Sequence, residues 1–87
     1  MESLGKYILL EKIAQGGMAE VFRAVAVGSA GFAKMVAIKR ILANLAQEER
    51  FVTMLIDEAK IASSLIHPNV VQVLDLGNQD GAYFIAM

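Results

Sequence analysis

The sequence predicts an α+β domain: a five-stranded antiparallel sheet with one main helix packed on it, in the order β-β-β-α-β-β. Three observations lead there. Before residue 45, runs rich in β-branched and aromatic residues are separated by glycine-containing turns. A single stretch, 46–66, has helical period and few breakers. Two short apolar runs then flank Asp80-Gly81, a strong hairpin signal.

Taken in order, "YILLEKIA" (7–14) reads as the first strand and "EVFRAVAV" (20–27) as the second, although its alanines also tolerate helix. Between them lies a glycine-containing loop, and "GSAGF" (28–32) is a small-residue turn. "KMVAIKRIL" (34–42) is the third strand. The helix of 46–66 is expected to end before Pro68, whose ring pushes the preceding residue out of the α region. "VVQVLDLG" (70–77) and "AYFIAM" (82–87) complete the sheet.

Side chains alternate across a strand, so Met35, Ala37, Lys39 and Ile41 share one face of the third strand, and Val36, Ile38 and Arg40 the other. Lys39 is then a charge on an otherwise apolar face. On the helix, Phe51, Leu55, Ala62 and Leu65 line one side, Thr53, Asp57, Lys60 and Ser64 the opposite side, and Glu58 falls within the apolar stripe. A carboxylate on a buried face is costly unless a cation meets it, which makes Lys39 the natural partner of Glu58, with Arg40 and Lys34 as competitors.

Composition narrows the function classes. Eighty-seven residues make one small domain, and 56% of them are apolar, which suggests a body that packs against something else. The net charge of -1 gives no basic footprint for nucleic acid. The absence of cysteine removes disulfides and thiolate metal sites, and the lone His67, read as a helix-end residue, has no partner ligand. No uncharged run approaches the roughly 20 residues of a membrane span, and "MESLGKYILLEK" lacks the form of a signal peptide, so the expected location is the cytoplasm. Arg23, Arg40, Arg50 and Lys60 read as solvated, the methionines as core filler, and Phe32 as packed back on the sheet.

Five segments together resemble one family. "IAQGGMAEVF" (13–22), "VAIK" (36–39), Glu58 in "DEAKIA", "HPNVVQV" (67–73) and "YFIAM" (83–87) lie in the order and spacing of the N-terminal lobe of a protein kinase, and more narrowly of the bacterial Ser/Thr kinases of eukaryotic type. Taken alone, "QGGMA" is an ordinary hairpin turn. A dinucleotide-binding loop would have to open a helix, and no Gly-Lys-Ser/Thr of a Walker loop occurs.

The resemblance implies an ATP-binding site. Lys39 would hold the α- and β-phosphates and Glu58 would pair with it and fix its rotamer. The ATP-contacting stretch would comprise Ile13, Ala14, Gln15, Gly16, Gly17, Met18, Ala19, Glu20 and Val21, with the backbone amides of 15–19 over the phosphates. Ile13, Val21 and Ala37 would sandwich the adenine, with Met87 as gatekeeper, and Ala62 and Val73 would join the apolar stack between helix and sheet. Ala14 and Ala19 depart from the family's glycines; they are the smallest other choices and prefer negative φ.

The range 1–87 is accordingly read as a kinase domain's small lobe, ending at the gatekeeper position. The expected partners are ATP, Mg2+ held by residues of a second lobe, and a protein substrate bound there. With no H-R-D or D-F-G segment in the sequence, these residues alone are expected not to transfer phosphate. The rival reading is a non-catalytic module that binds a kinase or another partner through its bare apolar face.

Overall fold

The computed structural model describes residues 2–64 and 72–87. Their order is β1 (Ser3–Leu4), β2 (Tyr7–Gln15), β3 (Ala19–Val27), β4 (Ala33–Ile41), α1 (Glu49–Ser64), β5 (Asp75–Gln79) and β6 (Ala82–Ala86), with short 3-10 turns at Ser29–Gly31 and Ala43–Leu45. The strands form one antiparallel sheet in the order β1-β2-β3-β4-β6-β5. The α+β architecture is the one the sequence predicts, with six strands in place of five.

The additional strand is β1, a two-residue segment too short to carry a period-2 pattern. It folds back on β2 through Gly5, which sits at φ 58. β2 and β3 pair from Tyr7↔Ala26 to Gln15↔Glu20 with register shifts after Leu9 and after Lys12, and β3 and β4 pair without interruption from Ala19↔Ile41 to Val27↔Ala33. The hairpin between β5 and β6 turns at Asp80 and Gly81, both at positive φ, as a two-residue type I′ turn requires. Asn78 Oδ1 accepts the Gly81 N–H at 3.1 Å and closes it.

β5 begins later than the sequence suggests. Residues 72–74 precede it, although the Leu74 N–H already donates to the Ala86 carbonyl at 2.8 Å. Positions 70 and 71 of the expected strand lie outside the described residues, as do Leu65, His67 and Pro68, on which the expected helix end rested.

The sheet curls until its two edges touch. Tyr7 Oη donates to Asp75 Oδ2 at 3.1 Å, and the Gly5 N–H reaches the Gln79 side-chain oxygen. The Tyr7 and Phe84 rings meet edge to face at 5.8 Å, although β2 and β6 are separated by two strands. Inside the curl lies the main core: Leu4, Tyr7, Leu9, Ala24, Val36, Ile38, Phe84 and Ala86. Gly77 faces Phe84 across the β5–β6 ladder, and a Cβ at Gly77 would overlap that ring.

α1 packs on the opposite, convex side. Leu55 and Ala59 bury there against Ile41 and Ile85, flanked by Phe51, Val52, Val73, Tyr83 and Met87. The main contacts of α1 with the sheet are to β4 and β6, which leaves the convex side of β2 and β3 largely uncovered. Phe32 does not pack back on the sheet. It is 65% exposed, at the far tip of the β3–β4 hairpin, where its ring rests against Gly28.

Candidate nucleotide site

The convex face carries the residues the sequence singled out. Val21 and Lys39 stand opposite one another across β3 and β4, and Ala14 stands opposite Val21 across β2. Ala37 is the next convex residue along β4, and its N–H and carbonyl exchange hydrogen bonds with the Met87 backbone at 2.8 and 2.9 Å. The elements therefore bring Ala14, Val21, Ala37, Lys39 and Met87 onto one open surface. Ile13 lies at an irregularity in the β2 ladder and is 56% exposed, a large apolar side chain without cover from the rest of the chain.

The β2–β3 connection overhangs this surface. A cleft of about 320 Å³ is lined by Ala14, Gln15, Gly16, Gly17, Met18, Ala19, Val21 and Lys39. The loop is held by its own backbone: the Gly16 N–H donates to the Ala19 carbonyl at 2.8 Å, and the Met18 carbonyl accepts from the Leu42 N–H at 2.9 Å. A Cβ at Gly17 would meet nothing within 4 Å, so glycine there leaves the backbone open to close approach rather than relieving a clash. The alanines that replace glycine are unstrained. Among the described residues, the non-glycine positions at positive φ are Ala30 and Asp80, and neither Ala14 nor Ala19 is among them.

Lys39 Nζ donates to both carboxylate oxygens of Glu58, at 2.9 and 3.2 Å. The pairing expected from strand and helix faces is formed. Its setting differs from the expectation: the Lys39 side chain is 27% exposed and Glu58 48%. Glu58 stands at the edge of the helix stripe, because Leu55 and Ala59 occupy its centre. The pair is a hydrated clamp at the mouth of the cleft, free of the desolvation cost a buried carboxylate would carry.

Two charged residues fall elsewhere. Arg40, expected as a competitor for Glu58 and otherwise as solvated, points into the concave side. It engages Glu2 through two bonds, Nη1–Oε2 at 2.5 Å and Nη2–Oε1 at 3.0 Å, and stacks on the Phe22 ring at 4.9 Å. The hydrogen bond from Arg40 is the largest influence holding the Glu2 carboxyl below the usual glutamate range, against a smaller opposing effect of burial. The resemblance places Glu20 in the nucleotide-contacting stretch, yet its side chain faces the concave side and does not line the cleft. It is 7% exposed, the one buried charged residue among those described.

A family model described as protein tyrosine and serine/threonine kinase matches residues 7–87. Over 87 residues the chain is 46% identical to a tyrosine-protein kinase, MasK, of Myxococcus xanthus, covering all of this chain and 14% of that protein. It is 40% identical to the serine/threonine-protein kinase PrkC of Bacillus subtilis, with 95% of this chain and 12% of the relative covered. Among solved structures, the PknI kinase domain of Mycobacterium tuberculosis superimposes with a TM-score of 0.69 at 27% identity, over 99% of this chain and 34% of that domain. The chain thus spans a small part of the length of the relatives it matches. With its small-lobe fold and a family match that runs through both the loop and the lysine strand, the chain belongs to the protein tyrosine and serine/threonine kinase family.

Proposed function

We propose that this chain supplies the small-lobe half of an ATP site, and that in a complete kinase it serves transfer of the γ-phosphate to protein serine and threonine hydroxyls. The observation that carries the reading is the Lys39–Glu58 clamp at the mouth of a cleft roofed by residues 14–19. The donor set fits a nucleotide triphosphate: a fixed ammonium for the phosphates, a backbone loop with small side chains above it, and apolar walls at Ile13, Val21, Ala37 and Met87 for a flat base. Lys39 would meet the α- and β-phosphates, and Glu58 would hold its ammonium in one place, so that less ordering is needed when charge builds in the transition state.

The ligands of Mg2+, the base that takes the hydroxyl proton and the protein-substrate surface belong, on this reading, to residues beyond the 87. The relatives' names include both a tyrosine kinase and serine/threonine kinases. Assignment to serine and threonine rests on the relatives named serine/threonine-protein kinases, PrkC among them, and on the resemblance of the motif set to that bacterial group. None of the described helices is long and apolar enough to cross a membrane, and a cytoplasmic site of action, where ATP is abundant, agrees with the reading. The alternative, a non-catalytic module docking through its open convex face, draws on the same exposed apolar residues and leaves the Lys39–Glu58 pair without a role.

The test is Lys39→Met in the protein that carries this segment. Phosphoryl transfer should fall by at least about a hundredfold while the melting temperature changes little, as expected for loss of a preorganised charge. Near-normal transfer by the variant would remove Lys39 from the role given to it.

A further inference from the structure

Glu20 and Arg40 are charged residues that the nucleotide reading does not use, and they lie directly behind it. They are register partners across β3 and β4, one position from Val21 and Lys39 and on the other face of the same strands. Arg40 Nη2 lies 3.6 Å from Glu20 Oε1, and Lys12 Nζ lies 3.8 Å from the same oxygen. Lys12 also donates to Gln15 Oε1 at 2.8 Å. Gln15 and Glu20 are themselves register partners, the last pair before the loop. Lys12 therefore bridges the two ends of the loop, and Arg40 ties its outgoing end to the lysine strand.

The far side of Arg40 is taken by Glu2 from the segment leading into β1. That segment is fixed in turn by the Leu9 N–H, which donates to the Glu2 carbonyl at 2.9 Å. The result is a continuous chain of charge, Glu2–Arg40–Glu20–Lys12, with Phe22 beneath the guanidinium. Glu20 is buried, so loss of its cations would leave an uncompensated carboxylate, and the arrangement resists partial opening.

We propose that Glu20 and Arg40 are positioning residues for the nucleotide loop, and that Glu2 completes them, so that the seating of the N-terminal segment sets how firmly the loop is held over Lys39. The inference rests on the nucleotide reading for its consequence, though its structural half stands independently. The latch acts from the concave side and leaves the cleft itself unobstructed.

The experiment is amide hydrogen exchange by mass spectrometry on the full protein bearing these residues, for the wild type, Glu2→Gln, Glu20→Gln, Arg40→Met and Arg40→Lys, together with KM for ATP. Glu2→Gln alters an exposed group and keeps the test valid if a change at Glu20 impairs folding. Exchange in a peptide covering 13–20 should accelerate about tenfold in Glu2→Gln, Glu20→Gln and Arg40→Met, while a peptide covering 51–62 keeps its protection. Arg40→Lys should restore part of the protection, since it keeps the charge and loses the two-pronged geometry. KM for ATP should rise in the same order as loop exchange.

Unchanged loop exchange overturns the proposal. So does equal acceleration in both peptides, which would make the latch a general stabiliser. Loosened loops with an unaltered KM would sever it from the nucleotide site. Lys39→Met run alongside separates the two readings: normal ATP binding and turnover there would break the nucleotide assignment, and loop exchange would still decide the latch.

Discussion

The two faces of the sheet are built on different terms. The concave face is closed by the chain itself: its edges meet through Tyr7–Asp75 and Gly5–Gln79, and Leu9, Ala24, Ile38, Phe84 and Ala86 pack inside. The convex face is covered by α1 over part of β4 and β6, and the β2–β3 half remains open, with Ile13 on β2 more than half exposed and Val27 on β3 also exposed. The concave core and the seam under α1 hold the fold together, and the chemistry lies on the uncovered part of the convex face. The strands are shared, so one residue step along β4 passes from Lys39 at the cleft to Arg40 in the concave charge chain. A small domain with a limited core can in this way keep half of one face free for a ligand.

The largest expected effect comes from loosening the helix. Leu55 is fully buried, and Leu55→Ala should cost about 2–5 kcal/mol in denaturant unfolding. It should also weaken the Lys39–Glu58 clamp, since the same packing sets the distance of α1 from β4. A loss below about 0.5 kcal/mol, the range of ordinary surface substitutions, would mean that α1 is not seated as described.

Gly77→Ala probes the other face. The added methyl must displace the Phe84 ring, and overpacking of this kind costs about 1–3 kcal/mol. If the faces are separable, the variant melts earlier yet holds nucleotide as well as the wild type once corrected for the unfolded fraction. Equal damage to both properties would blur the distinction between them.

The smallest effect is with pH. The Glu2 carboxyl is held below the usual glutamate range by Arg40, so its contribution to stability is present above the unfolded glutamate pKa and is lost as pH falls through its lower folded value. Glu2→Gln should flatten the acid limb of the stability curve slightly. An unchanged acid limb would show that the pair contributes nothing in solution.

Much of the open face was legible in the sequence because its signals are local. Lys39, Ala37 and Val21 follow from strand alternation and from five segments in family order, and the Asp80-Gly81 turn is carried by two residues alone. The closed face was not, since its contacts join distant positions. β1 has two residues and no pattern, Gly77 reveals its purpose only beside Phe84, and Arg40 looked solvated because alternation assigns a face without saying what lies across it. Glu58 illustrates a further limit. A wheel centred on Phe51, Leu55 and Ala62 places it mid-stripe, whereas the buried Leu55 and Ala59 turn the helix so that Glu58 reaches the edge and meets Lys39 from solvent. The partner was readable and its hydration was not.

The most direct test of this division is an NMR titration with Mg·ATP of the isotopically labelled full protein that carries these residues, following backbone amides on both faces. The account predicts shifts concentrated at residues 13–21, 37, 39 and 87, with Leu4, Tyr7 and Phe84 nearly still. Shifts centred on the concave residues, or none at millimolar nucleotide, would contradict it.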